Sequence, residues 1–83
     1  MDIQNEILKI LDEVLSLKGR AMSFSDQTVL LGALPELDSM AVLGVITGFE
    51  DRFGFAVEDD EIDGSTFATV GSLVAYVSKK LKH

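Results

Sequence analysis

The 83 residues of this chain suffice for one small domain, and 47% of them are hydrophobic, which is typical of a packed globule. A formal net charge of −7 argues against a nucleic-acid-binding protein, because such proteins need cations to displace phosphate counterions. The absence of cysteine excludes disulfides and thiolate metal sites. No apolar run is long enough to span a bilayer, and the start does not resemble a signal peptide, so we expect a single cytoplasmic domain over residues 1–83.

Three segments carry apolar residues at spacings of three and four, which predicts amphipathic α-helices at about residues 2–18, 39–53 and 70–81. Each segment begins at a residue that favours the N-terminal cap of a helix. These candidate caps are Asp2 for the first helix, Asp38 or Ser39 for the second, and Thr69 for the third. Five apolar side chains of these segments and their connections are expected to be largely buried, namely Leu11, Phe49, Phe53, Phe67 and Val74.

The connection between the first two helices, from Gly19 to Leu37, has no sustained helical period and contains several turn-forming residues. It is nevertheless too apolar for a solvated linker, so we expect it to lie over the helices, with a helical turn near residues 26–31. A short third helix or a turn is expected at about residues 63–67. Together these elements predict an all-α, small four-helix bundle, with three long helices, one short helix and a long first loop.

Two glycines, Gly44 and Gly48, lie four residues apart on one face of the second predicted helix. Glycine in a helix interior costs roughly 1 kcal/mol relative to alanine, so their presence needs a reason. One interpretation is that a neighbouring helix approaches closely at this face. The other is that the face forms a smooth patch for a partner, and the sequence leaves both open.

Catalysis by the chain alone is not supported by its residues. A serine nucleophile needs a base within hydrogen-bonding reach, but the only histidine is the terminal His83. The sequence also lacks the Gly-x-Ser-x-Gly turn that exposes a nucleophilic serine in many hydrolases. Ser39 therefore has no evident activating base, and we do not expect an enzyme.

An acidic stretch partly resembles the opening of a calcium-binding loop, with Asp59, Glu61, Asp63 and Gly64 at the first, third, fifth and sixth positions. The twelfth position, which requires a bidentate glutamate, is occupied by Val70. The match therefore fails at its most demanding ligand. We expect a solvated acidic turn and no metal site.

The stretch that begins at Gly32 reads Gly-Ala-Leu-Pro-Glu-Leu-Asp-Ser-Met and ends at Met40. Followed by a helix, it resembles the attachment region of acyl and peptidyl carrier proteins, and the likeness extends to the order of the helices, the long first connection and the closing Phe67–Leu73 stretch. The resemblance implies an acyl-carrier-like fold in which Ser39 carries 4′-phosphopantetheine derived from coenzyme A. It also implies that Asp38 helps the modifying enzyme to engage the site and that Met40 offers an apolar contact.

The resemblance further implies a set of protein partners for a carrier that is itself a monomer. These are a phosphopantetheinyl transferase, an acyl-loading ligase, and a downstream acyltransferase or synthase, with no nucleic acid and no membrane-spanning segment. The residues expected to bind partners flank the attachment serine or follow it in the second helix. They are Glu36, Val42, Leu43, Glu50 and Asp51.

The second helix departs from the carriers of fatty-acid synthesis, which typically have several carboxylates along it, because residues 41–48 are all uncharged here. This favours a specialised pathway whose partners dock by apolar contact as well as charge. The Leu-Pro-Glu-Leu-Asp-Ser-Met stretch looks most like stand-alone carriers of exosortase and exopolysaccharide gene clusters, although D-alanyl carriers also use Asp-Ser-Met. An alternative from another class is a non-catalytic interaction module that keeps the carrier fold without the arm.

Overall fold

The computed structural model describes residues 2–58, 62 and 64–81. These residues form three α-helices, α1 (Ile3–Leu15), α2 (Ser39–Phe53) and α3 (Val70–Leu81), and one 3-10 helix (Arg20–Ser23). The predicted all-α fold is confirmed, and α2 and α3 have the bounds that the apolar spacing predicts. The acidic residues Asp59, Glu61 and Asp63, and the terminal His83, lie outside the described residues.

The first helix ends three residues earlier than predicted. Ser16 adopts a left-handed conformation with φ of 54°, and its backbone N–H donates to the Asp12 carbonyl. The next N–H, that of Leu17, donates to the same carbonyl at 3.0 Å, a pattern that closes a helix C-terminus. Leu17 is fully buried although it lies beyond the helix, which is why its apolar character extended the predicted stripe.

The 3-10 helix is held in place by a side chain of α1. Asp12 Oδ2 accepts the backbone N–H groups of Gly19 at 2.8 Å and Ala21 at 3.2 Å. Side-chain oxygens at helix starts satisfy N–H groups that have no partner within the helix. The helical turn therefore forms at residues 20–23, and the prediction of one near residues 26–31 is wrong.

Residues 26–31 instead pair with the segment that leads into α3. The Leu30 N–H donates to the Ala68 carbonyl at 2.8 Å, and the Leu31 N–H donates to the Phe67 carbonyl at 3.1 Å. In the opposite direction, the Val70 N–H donates to the Thr28 carbonyl at 3.0 Å. Residues 64–67 form turns, so of the two alternatives predicted near residues 63–67 the turn is the one observed.

The core is shared by all three helices and by both connections between them. Of the five residues predicted to be buried, Leu11, Phe49 and Phe67 are buried, whereas Phe53 and Val74 are half-buried and pack against the core. The fully buried side chains with the largest volumes come from every part of the described chain. They are Phe49, Phe67, Ile7, Leu11, Leu17, Leu30, Leu73, Val45, Val70 and Val77.

The two glycines of α2 face α1 at close range. A Cβ atom at Gly48 would lie 2.8 Å from Ile10 Cγ2, and one at Gly44 would lie 3.0 Å from Val14 Cγ1. Both distances are too short for an undisturbed contact, so glycine is what lets α2 approach α1. The interpretation of a close helix neighbour is confirmed.

Candidate functional site

The N-terminus of α2 is capped by Asp38. Its Oδ1 accepts the Ala41 N–H at 2.8 Å, and its backbone carbonyl accepts the Val42 N–H at 2.9 Å. Asp38 itself has extended backbone angles, with φ of −106° and ψ of −175°, as expected of a residue just outside the helix. The cap that the sequence left open between two residues is therefore Asp38.

Ser39 is the first helical residue of α2, and its side chain is exposed to solvent. Since Asp38 already caps the helix, the Ser39 hydroxyl is not needed for that purpose. The first turn of α2 contains no acidic residue, although the Asp38 carboxylate just before it offsets part of the positive end of the helix dipole. The result is an accessible hydroxyl close to the positive end of a helix.

The segment before Ser39, residues 32–38, is held to the body of the protein by apolar side chains and by an ion pair. Leu37 is only 5% exposed and belongs to the core. Glu36 Oε2 accepts a hydrogen bond from Arg20 Nη2 at 2.6 Å, which joins this segment to the 3-10 helix. This contact spans 16 positions, and no local pattern in the sequence indicates it, so the sequence did not single out Arg20.

The surroundings of Glu36 clearly alter its ionisation. The hydrogen bond from Arg20 lowers the pKa of the Glu36 carboxyl below its ordinary value, with further contributions from a backbone hydrogen bond and from the charge of Arg20. The other carboxylate oxygen, Oε1, is buried and accepts no hydrogen bond from the described residues. Glu36 is thus ionised and committed to Arg20 at neutral pH.

Two exposed apolar side chains follow Ser39 on the surface of α2. Met40 is 74% exposed and Leu43 is 58% exposed, and residues three apart in a helix are neighbours on its surface. We refer to this pair as the α2 apolar face. Thr47, one turn further, is also exposed and uncharged, and its hydroxyl donates to the Leu43 carbonyl at 3.0 Å.

The chain resembles proteins of known class over nearly its whole length. It is 35% identical over 81 residues to an acyl carrier protein of Exiguobacterium sp. (strain AT1b), which covers 98% of this chain and 91% of that protein. It is 31% identical over 77 residues to the acyl carrier protein AsbD of Bacillus anthracis, which covers 93% of this chain and 82% of AsbD. The chain belongs to the acyl carrier protein family.

A solved structure agrees with this assignment. The NMR structure of a holo acyl carrier protein from Nitrosomonas europaea superposes with a TM-score of 0.92 at 48% identity, and the match covers 100% of both chains. No family model matches the sequence. Acyl carrier proteins are carriers and not catalysts, in agreement with the prediction that the chain is not an enzyme.

The other predicted partner-binding residues are spread along this acyl carrier protein. Val42 is half-buried and packs against the core, and Glu50 accepts the Val57 N–H at 2.9 Å, so both also have a structural role. Glu50 lies about 17 Å from Ser39 along the helix axis, and Asp51, which is exposed, is one residue further. Of the five residues, Glu36 and Val42 are nearest the serine along the chain, at three positions, and Leu43 follows at four.

The part of this acyl carrier protein that the structure describes contains neither a candidate metal site nor a candidate membrane-spanning helix. Residues 2–58, 62 and 64–81 contain no group of three or more acidic, histidine or cysteine side chains that could hold a metal ion. None of the helices in those ranges is long and apolar enough to cross a membrane.

Proposed function

We propose that this acyl carrier protein carries 4′-phosphopantetheine on Ser39 and uses it to transport acyl or aminoacyl groups between enzymes. The observation that carries the proposal is the exposed hydroxyl at the first position of α2, with Asp38 acting as the cap in its place. A second support is the holo form in which the similar Nitrosomonas europaea protein was solved.

The surroundings of Ser39 fit a phosphodiester. A negative group attached there lies near the positive end of the α2 dipole. The nearby Glu36 carboxylate is already paired with Arg20, which reduces its repulsion of a second anion. Asp38 contributes one adjacent negative charge, but its Oδ1 is engaged by the Ala41 N–H. The helix dipole and the pairing of Glu36 with Arg20 thus oppose the repulsion from Asp38.

When bound, phosphopantetheine supplies a terminal thiol that holds acyl groups as thioesters. This chain has no cysteine, so the sulfur has to come from the cofactor. It also has no histidine other than His83, so a separate phosphopantetheinyl transferase has to supply the base that activates Ser39. The chain's own contribution is to hold the serine at the surface, with Asp38 and Met40 beside it for the transferase to contact.

We place the protein in a specialised pathway of the cytoplasm, where an acyl-loading ligase and a downstream acyltransferase or synthase are its further partners. The support is the α2 apolar face, since Met40 and Leu43 offer exposed hydrocarbon where a charged docking surface would have carboxylates. Apolar contact then contributes to docking together with the general attraction of an acidic protein to basic partners. Asp51 is the exposed acidic residue that we assign to the outer part of the same docking surface.

The test is incubation of the purified chain with coenzyme A and a broad-specificity phosphopantetheinyl transferase. Intact-mass measurement should show the addition of one phosphopantetheine to the wild type and none to Ser39→Ala. Ser25→Ala, which removes another exposed hydroxyl, is the matched control and should be modified as the wild type is. Circular dichroism should show the same helical content in all three proteins, because Ser39 does not provide the cap.

A wild type that stays unmodified with several transferases would contradict the proposal. So would Ser39→Ala that still gains the mass, or that supports growth as well as the wild type in the cell. Those outcomes would favour the interaction module that keeps this fold without an arm.

A further inference from the structure

We propose that Arg20 is a positioning residue for the transfer of the arm to Ser39, acting through its ion pair with Glu36. The inference rests on the proposed function of Ser39. Arg20 lies in the 3-10 helix and Glu36 lies three residues before the serine, so the pair joins the two ends of the connection between α1 and α2.

Arg20 is itself fixed before it reaches Glu36. Its backbone N–H and its Nε both donate to the Leu17 carbonyl, at 3.1 Å and 3.2 Å. Leu17 is fully buried, and Asp12 Oδ2 accepts the N–H groups on either side of Arg20, from Gly19 and Ala21. These hydrogen bonds fix the backbone and the Nε atom of Arg20, so the Nη2 group of its guanidinium is held where it can bind a carboxylate.

Glu36 connects Arg20 to the start of α2. Arg20 Nη2 donates to Glu36 Oε2 at 2.6 Å, and the Glu36 backbone carbonyl accepts the Asp38 N–H at 3.2 Å. Asp38 in turn caps α2 by accepting the Ala41 N–H, and Ser39 is the next residue in the chain. A displacement of Glu36 therefore moves the cap, and with it the residue that has to meet the transferase.

The Arg20–Glu36 ion pair contributes little to the stability of the whole molecule. Both side chains remain partly accessible, at 59% for Arg20 and 33% for Glu36, and ion pairs of that exposure contribute little to global stability. Leu37 keeps the segment attached to the core when the pair is broken. Loss of the pair thus loosens residues 36–39 without unfolding the helices.

The experiment measures kcat/KM for arm transfer from coenzyme A by a broad-specificity transferase, together with Tm, for Arg20→Ala, Glu36→Ala and the double variant. Each single variant should lower kcat/KM by about fivefold, a change consistent with the small coupling of an exposed ion pair. The double variant should be no slower than either single one, because the two side chains act as a unit. Tm should stay close to that of the wild type.

The matched control is Arg52→Ala. Arg52, whose side chain is 54% exposed, also forms an ion pair, with the 15%-exposed Glu6, and its loss changes the net charge by the same amount. It lies about 20 Å from Ser39 along α2, so its kcat/KM should stay at the wild-type value. Hydrogen exchange gives an independent readout: the Ala41 amide should exchange faster in Arg20→Ala, while amides of the buried core, such as Val45, should not change.

Equal rates for Arg20→Ala and Arg52→Ala would overturn the positioning role. So would a double variant that is slower by the product of the two single effects, which would mean that Glu36 contacts the transferase independently of Arg20. Failure of the proposed function gives a different result, since the wild type itself would then not be modified at Ser39.

Discussion

At the start of α2, two adjacent side chains perform two different tasks. Asp38 satisfies the helix by accepting the Ala41 N–H, and Ser39 presents an exposed hydroxyl from the first helical position. A serine that served as the cap would have its oxygen engaged by a backbone N–H and aimed along the helix. The aspartate thus makes the serine available, and the two residues should respond differently to substitution.

Asp38→Ala should lower the free energy of unfolding by about 1 kcal/mol, the usual cost of losing an N-terminal cap. Chemical denaturation at neutral pH measures this change. Asp38→Asn keeps an oxygen that can accept the Ala41 N–H, so its stability should stay near that of the wild type. Equal stability of Asp38→Ala and the wild type would show that the cap does not contribute as described.

At the scale of elements, the position of α2 depends on its close contact with α1. The contact is made by Gly48 against Ile10 and by Gly44 against Val14. In both cases the opposing atom is a methyl group on a branched Cβ, which cannot turn away without changing χ1. The two glycines therefore set how near α2 lies to α1, and hence where α2 begins.

Gly48→Ala should destabilise the protein, since its new Cβ would lie 2.8 Å from Ile10 Cγ2. Overpacking of this kind costs about 1–3 kcal/mol, against roughly 1 kcal/mol gained in helix propensity. The denaturation midpoint is the measurement. Thr47→Ala, on the exposed side of the same turn, is the control and should be neutral or slightly stabilising. A Gly48→Ala variant more stable than the wild type would contradict the close contact.

The elements that the sequence predicts well are those determined by local signals. Apolar spacing and the caps Asp2, Asp38 and Thr69 locate the starts of all three helices. At the start of α3 the cap is reciprocal, because Thr69 Oγ1 accepts the Ser72 N–H and Ser72 Oγ accepts the Thr69 N–H. The sequence does not predict the end of α1 correctly, because Leu17 is apolar and buried although the helix ends before Ser16. Periodicity alone does not distinguish a buried residue inside a helix from one just beyond its end.

The elements that it predicts poorly depend on contacts between distant residues. The 3-10 helix forms where the Asp12 carboxylate accepts N–H groups seven and nine positions later. The backbone of residues 28–31 forms hydrogen bonds with residues 67–70, where the chain enters α3. Arg20 forms an ion pair with Glu36, near the other end of the first connection. None of these pairings leaves a period or a motif in the sequence. The candidate serine was found from its motif, whereas the side chains that position it required the fold.

At the scale of the whole molecule, we propose that the acidic net charge and the α2 apolar face both contribute to the docking of partners. The formal net charge of −7 attracts basic partners from a distance, with little dependence on where the charges lie. The α2 apolar face, Met40 and Leu43, lies directly after Ser39, and we propose that it offers the contact that discriminates among partners. Charge then mainly affects the rate of encounter, and apolar contact affects the lifetime of the complex.

Leu43→Glu should raise the KM of the transferase by about tenfold, which corresponds to roughly 1.4 kcal/mol, because a charge is placed in an apolar contact. Tm should hardly change, since Leu43 is 58% exposed and glutamate is a good helix former. Leu81→Glu adds the same charge at an exposed leucine near the end of α3 and should leave KM unchanged. Equal effects of the two variants would indicate that net charge, and not the apolar face, governs docking.

We propose that the arm is attached to the protein at the Ser39 hydroxyl. Tandem mass spectrometry of peptides from the protein purified from its own cells tests it most directly. We expect phosphopantetheine on the peptide that contains Ser39, with fragment ions that locate it on that residue. An arm located on another residue, or a fully unmodified protein in cells where other carriers are modified, would contradict the account.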